Sequence, residues 1–274
     1  MNVRTYHLRE TYPFLQHADC DPTLTVYLQQ NSKEIFNGET RRPCVLIIPG
    51  GAYYAVSERE GEPIALHFLP EGWQAAILHY SVSSETKGVW PQQLLEAAAA
   101  MNWISMHAES WHVDPERLAV CGFSAGGHLA AAYADYWNRP IVQNVVAAPR
   151  PKACILGYAV LTAGMLTHLD TIKNLTGGKK LSDTEVQALS MEKQVNADTP
   201  PTFLFHTAND TCVPVANSLC YANALANVGI PFEMHIYPDG IHGIATADEQ
   251  TGITEKQAAA DWLRACKAWL RRTV

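Results

Sequence analysis

The sequence predicts an α/β protein with a mainly parallel central sheet of about eight strands and helices on both faces. Three observations carry this reading. Short apolar runs at 44–48, 73–80, 118–123, 153–158, 202–206 and 232–237 are separated by helical patterns, a strand-helix alternation that argues for a parallel sheet. Several of these runs are apolar without alternation, as in strands covered on both faces. The turns that follow them are rich in glycine and polar residues, at the sheet edge where sites in open α/β folds collect.

Taken in order, residues 3–8 and 23–28 alternate loosely and hold many β-branched and aromatic residues, which predicts two antiparallel strands at a sheet edge. Residues 31–42 are polar and read as a loop. The run 44–48 ends at Pro49-Gly50-Gly51, and a helix is expected over 60–69. Pro91, suited to a first helical turn, opens a helix through 107. Val113-Asp114-Pro115 reads as a turn before the strand at 118–123. Residues 161–200 break the rhythm. Ser182 with Glu185 three residues on marks a helix start inside them, and the segment suits a small lid-like insertion or a side-packed cap. A helix over 214–228 and an amphipathic one over 254–272 complete the chain. With no repeat or linker, residues 1–274 are expected to form a single domain.

The totals exclude several classes. Charged residues make up 17% and apolar residues 47%, an ordinary globular balance. The net charge is -7, and the longest basic clusters are pairs, Lys179-Lys180 and Arg271-Arg272, which argues against nucleic acid as a partner. No apolar run reaches the ~18 residues of a membrane span. The first residues hold no apolar signal-peptide core. The seven cysteines are scattered without C-x-x-C spacing, so reduced thiols in a cytoplasmic protein are expected, and no metal site. Asn209-Asp210-Thr211 is formally a glycosylation sequon, but a glycan there would obstruct the site described below.

The chemistry centres on Gly122-Phe-Ser-Ala-Gly126, between an apolar strand and an apolar helix beginning near Ala125. A serine hydroxyl is a weak nucleophile. It must stand clear of the sheet to meet a base and a carbonyl, and a sharp strand-to-helix turn lifts it there. Ser124 is therefore the candidate nucleophile, and Gly122 and Gly126 sit where side chains would clash. The base and acid should follow on loops after later strands. His242, between glycines after the 232–237 run, is the candidate base; His206 and His235 fall inside strands, His79 lies near a strand end, and His128 is in the helix after the serine. Asp210, after the 202–206 run, is the candidate acid, ahead of Asp239, which is only three residues from His242 and better suited to shaping that turn. The oxyanion donors expected are the backbone N–H of Ala125 and those of Gly51 and Ala52 in the loop after 44–48. Tyr53, Tyr54, Phe123 and Trp90 are candidates for lining a substrate pocket. No cofactor is called for: H-E-x-x-H is absent, and Gly177-Gly178-Lys179-Lys180 lacks P-loop spacing.

Four ordered stretches, Ile48-Pro-Gly-Gly-Ala-Tyr53 with Glu60-Gly-Glu-Pro63, Gly122-Phe-Ser-Ala-Gly-Gly-His128, His206-Thr-Ala-Asn-Asp210 through Val213-Pro214, and Gly240-Ile-His-Gly243, resemble the esterase/lipase branch of the α/β-hydrolase superfamily. Within it, the sequence particularly resembles small bacterial acetyl-esterase and acetyl-xylan-esterase-like proteins. The resemblance spans about residues 44–245. It implies a Ser124–Asp210–His242 triad and a small-molecule ester substrate with a short acyl group such as acetate, a sugar being one candidate alcohol. The departure is Pro49 and Ala52, where related enzymes often carry His-Gly-Gly-Gly. A formamidase, amidase or peptidase with the same triad is the alternative, and a non-catalytic ligand-binding protein on the same fold is the alternative of another class. The sequence carries no signal for oligomeric state.

Overall fold

The computed structural model describes residues 1–15, 21–34, 41–83, 89–253 and 257–274. Among them eight strands form one sheet: β1 (Asn2–His7), β2 (Thr23–Leu28), β3 (Arg42–Ile48), β4 (Gln74–His79), β5 (Val113–Phe123), β6 (Ala153–Gly157), β7 (Thr202–Thr207) and β8 (Phe232–Tyr237). Their spatial order is β1-β2-β4-β3-β5-β6-β7-β8. β2 pairs antiparallel with β1 and with β4, and every later pairing is parallel. The helices are α1 (Leu8–Thr11), α2 (Glu62–Phe68), α3 (Gln92–Met106), α4 (Ser124–Tyr136), α5 (Pro140–Gln143), α6 (Leu169–Thr176), α7 (Asp183–Leu189), α8 (Ala216–Val228) and α9 (Trp262–Thr273).

The double-faced burial read from the sequence is visible in β3, where every residue is buried. Cys44, Leu46 and Ile48 face a layer that includes Leu94 and Met101 of α3, Leu129 of α4 and Tyr221 of α8. Val45 and Ile47 face the opposite layer, with Ile64 and Phe68 of α2 and Trp262 and Trp269 of α9. Each buried Val, Leu or Ile contributes roughly 1.5–3 kcal/mol, so a strand apolar on both faces belongs at the sheet centre. That position places the loops after β3 and β5 side by side. Cys44, Cys121, Cys154 and Cys266 are buried thiols. No helix among the described residues is long and apolar enough to cross a membrane.

Some local readings are corrected. Val113-Asp114-Pro115 is the start of β5, not a turn. Val113 pairs with Arg42, and the register then shifts before Cys44 pairs with Leu118. Proline is tolerated at such an irregularity because no ladder N–H is required there. The Asp114 side chain accepts the Glu116 N–H, so turn chemistry is present but contained within the strand. The helix read over 60–69 is α2 flanked by short 3₁₀ turns at Glu58–Glu60 and Leu69–Glu71. The last helix begins with a 3₁₀ turn at Ala258–Asp261. Residues 254–256, read as its start, and most of the loop read over 31–42 (35–40) lie outside the described residues.

Segment 161–200 holds α6 and α7, and Ser182 and Glu185 form the reciprocal capping box that their spacing predicted. α6 reaches the loop after β3: Asn174 donates to the Ala52 carbonyl, and the Val89 and Trp90 amides donate to the Leu175 carbonyl. α7 meets the helix after the serine: His128 Nε2 and the Tyr136 hydroxyl donate to the Leu189 and Ala188 carbonyls.

Buried acids outside the site set a pH dependence. Burial pushes Glu96 up to about 7, against hydrogen bonds from Ser81 and Gln92, and Asp135 up to about 7, against those from Thr199 and Tyr221. A carboxyl raised on folding binds its proton more tightly in the native state, so stability falls as pH rises from the unfolded value through the folded one. His128 is buried neutral and pushed down to about 4 by desolvation, which acts the opposite way between its folded value and the ordinary histidine value of 6.5. Glu96→Gln removes one descending contribution. Urea unfolding at pH 5 and pH 8 is expected to show the variant gaining on the parent by on the order of 2 kcal/mol across that interval.

Candidate active site

The loop geometry begins with Ser124, the first residue of α4, at φ +51. A left-handed backbone is unfavourable for a residue with a Cβ and persists only where the surroundings dictate it. They do so here through close approach of backbone. A Cβ on Gly122 would lie 2.2 Å from the Gly126 carbonyl oxygen. One on Gly126 would lie 2.2 Å from the carbonyl oxygens of both Ile48 and Pro49. The two glycines therefore let the end of β3 press directly on the turn. Ser124 is 8% exposed, with its hydroxyl at the sheet's C-terminal edge.

His242 and Asp210 arrive from the loops after β8 and β7. His242 Nε2 is 2.9 Å from Ser124 Oγ, and His242 Nδ1 is 2.7 Å from Asp210 Oδ2. Asp210 Oδ1 accepts the Cys212 and Val213 amides at 2.8 and 2.9 Å. Burial alone would raise this carboxyl. Hydrogen bonds from His206 and His242, the charge of His242 and the Val213 amide outweigh it and hold Asp210 well below the usual carboxylate range. An ionised Asp210 only accepts, so the Nδ1 proton points to it and the Nε2 lone pair faces the serine hydroxyl. The Tyr158 ring sits edge-on to His242, centroids 5.0 Å apart.

The loop after β3 carries Gly51, Ala52 and Tyr53 at φ +121, +53 and +56. Gly51's carbonyl accepts the Tyr54 and Ala55 amides, closing a tight turn. Ala125 lies in the first turn of α4, where backbone N–H groups lack intrahelical acceptors. The expected oxyanion donors thus lie on two abutting turns, and a Cβ on Gly50 would lie 2.9 Å from Ser124 Cβ.

The aromatic candidates divide. Tyr53 and Phe123 are fully buried, so reading them as pocket walls is corrected. Tyr53 is held by a hydrogen bond of 2.8 Å to His128 Nδ1, and Phe123, as the last residue of an inner strand, packs among Tyr158, Phe205 and Trp262. Trp90 is half-buried against His128 and Tyr136. Tyr54 is 67% exposed beside the oxyanion loop.

Three residues join the site in places that sequence reasoning did not give them: His206, Glu60 and Tyr158. His206 donates from Nε2 to the Val213 carbonyl at 2.9 Å, and the same nitrogen lies 3.4 Å from Asp210 Oδ2. Its fixed spacing of four from Asp210 was the available signal. Glu60, 2% exposed, accepts the Gly50 amide at 2.6 Å and the Tyr158 hydroxyl at 2.7 Å. Glu60 opens the Glu60-Gly-Glu-Pro63 stretch, but an acid beside an arginine reads as surface until the burial is seen.

A serine on a strand-to-helix elbow, facing a histidine and an aspartate on the loops of a mostly parallel eight-stranded sheet, defines an α/β-hydrolase. Solved structures agree. An acetyl ester-xyloside bifunctional hydrolase from Caldicellulosiruptor lactoaceticus superposes with a TM-score of 0.84 at 30% identity, covering 98% of this chain and 96% of that one. The carboxylesterase Cest-2923 from Lactobacillus plantarum WCFS1 gives 0.85 at 28% identity, covering 99% and 98%. Within that class the chain belongs to the BD-FAE family, whose model matches residues 24–225. The chain is also 34% identical over 251 residues to endo-1,4-beta-xylanase B of Butyrivibrio fibrisolvens, covering 89% of this chain and 37% of that protein. Across four curated relatives it spans 37–55% of their length.

Two substitutions probe this geometry. Asp210→Asn is expected to lower kcat about 10³–10⁴-fold on an activated ester, while Asp239→Asn stays within about threefold; the reverse pattern would move the acid to Asp239. Gly126→Ala, which drives a methyl into backbone on two sides, is expected to cost about 1–3 kcal/mol or more in denaturant unfolding.

Proposed function

We propose that this chain is a serine carboxylic ester hydrolase acting through an acyl-enzyme on short-chain, acetyl esters of sugars. The observation that carries the proposal is the double bridge made by His242, with one nitrogen on Ser124 and the other on Asp210. Ser124 Oγ attacks the ester carbonyl as His242 Nε2 takes its proton. The imidazolium so formed is stabilised by Asp210 and then protonates the departing alkoxide. Water enters, His242 activates it, and the acyl group leaves as the free acid. The Ala125 amide, with Gly51 and Ala52 opposite, stabilises the tetrahedral oxyanion, roughly 3–4 kcal/mol per donor in comparable sites.

Two observations support the sugar ester. One is the acetyl ester-xyloside hydrolase among the structural neighbours. The other is a cavity of about 750 Å³ touching His242, lined by Asn209, Thr211, Asp239 and Gln257. Those side chains offer hydrogen bonds to a hydroxyl-rich alcohol next to the group that must protonate it. The bend from α6 to α7 is proposed as one wall of the entrance, since α6 rests on the oxyanion loop.

A panel of p-nitrophenyl acetate to laurate, acetylated xylose, a peptide anilide and an aryl formamide tests the reading. Acetate esters are expected to give the highest kcat/KM, and Ser124→Ala to lose about 10³-fold or more in kcat. Undiminished turnover in Ser124→Ala, or faster anilide or formamide cleavage than ester cleavage, would refute it.

A further inference from the structure

Glu60 is a carboxylate buried between two working loops and without a part in the acyl-transfer steps above. Its two oxygens are each taken. Oε2 accepts the Gly50 amide at 2.6 Å, one residue before the expected oxyanion donor Gly51. Oε1 meets the Tyr158 hydroxyl at 2.7 Å. That hydroxyl in turn accepts the Ala245 amide at 3.1 Å, three residues past His242. With its oxygen engaged by an N–H, the tyrosine's single proton is directed at Glu60, so the carboxylate acts as acceptor on both sides.

The packing leaves no slack. A Cβ on Gly50 would lie 2.7 Å from Glu60 Oε2 and 2.9 Å from Ser124 Cβ, so the Gly50 backbone is wedged between the acid and the nucleophile. Arg59, on the same 3₁₀ turn, donates to the Gly243 carbonyl at 3.4 Å. Tyr158 is itself held at φ +34 while its ring abuts His242. A short turn before α2 thus grips both the loop after β3 and the loop after β8.

We infer that Glu60 is a positioning residue that holds the oxyanion loop and the base loop in register across the nucleophile, with Tyr158 as its relay. The inference rests on the acyl-transfer reading of Ser124 and His242. Its chemistry predicts the effect of the isosteric amide. A glutamine at 60 accepts from only one oxygen. Whichever way it turns, either the Gly50 amide faces an NH₂ group or the tyrosine proton loses its acceptor. Tyr158→Phe breaks only the relay and keeps the Gly50 bond.

The test uses p-nitrophenyl acetate kinetics together with a reporter-tagged fluorophosphonate. The final extent of labelling counts competent sites, and its rate reads their geometry. In Glu60→Gln, kcat per labelled site is expected to fall about 10–100-fold, the scale of a sub-ångström to 1 Å misplacement, with KM within about threefold and labelling slowed in parallel. Tyr158→Phe is expected to show a smaller fall in the same direction. Parental kcat per labelled site in Glu60→Gln overturns the inference, whether the number of sites is unchanged or reduced. A rise in KM alone overturns it too. If Glu60→Gln does not accumulate folded, Tyr158→Phe decides by the same criteria. Parental turnover in Ser124→Ala would instead remove the reading underneath, independently of either variant.

Discussion

The structure depends on one constraint, the left-handed backbone at Ser124. A residue with a side chain accepts that conformation only under compulsion. Here the compulsion is steric, since Gly122 and Gly126 allow the end of β3 and the turn of α4 to meet at backbone distance. Everything else at the sheet's C-terminal edge follows from that meeting. Because β3 and β5 are neighbours, the loop after β3 lies beside the serine, and the N-terminal amides of α4 face the same space. The parallel order β5-β6-β7-β8 then delivers the loops bearing Asp210 and His242 on one side only. The strained serine and the strained loop after β3 are thus two sides of one contact.

Electrostatics inside this edge are graded. Asp210 is buried yet ionised, since it collects two backbone amides and the flanking imidazoles of His206 and His242. Glu60 is also buried. Burial pushes its carboxyl above the usual carboxylate range, and hydrogen bonds from Tyr158 and Gly50 and the charges of His242 and Arg59 offset this only in part. One acid bonds His242 directly, and the other bonds the Gly50 amide and the Tyr158 hydroxyl beside it. Low dielectric makes both arrangements stringent, because a buried carboxylate with a missing donor is costly.

Much of this was legible in the sequence because the determinants are local. The apolar runs marked the inner strands, since burial on both faces removes alternation, and β3 shows it in every residue. Ser124, Asp210 and His242 were marked by their places just past strands, and the structure brings the three within hydrogen-bond reach. What failed to show depends on contacts distant in sequence. Val113-Pro115 carries genuine turn chemistry, but its pairing with Arg42 across the sheet overrides it. Tyr53 and Phe123 sit beside reactive positions in the chain yet point into packed interior, and chain proximity carries no direction. Glu60 meets Tyr158 across 98 residues of separation, so nothing in its own neighbourhood announced the pair.

The manner in which the 161–200 segment attaches has an evolutionary consequence. Part of its attachment runs through its own main chain: the carbonyls of Leu175, Ala188 and Leu189 receive bonds from Val89, Trp90, Tyr136 and His128. Side chains attach it too: Asn174 donates to the Ala52 carbonyl, Asn196 to the Asp135 carbonyl and Thr199 to the Asp135 carboxylate. Main-chain acceptors are the same whatever residue bears them. The outward side chains of this segment, Met165 and Leu169 among them, are exposed and take no part in these attachments. Lineages can exchange them without disturbing the bonds that seat the segment.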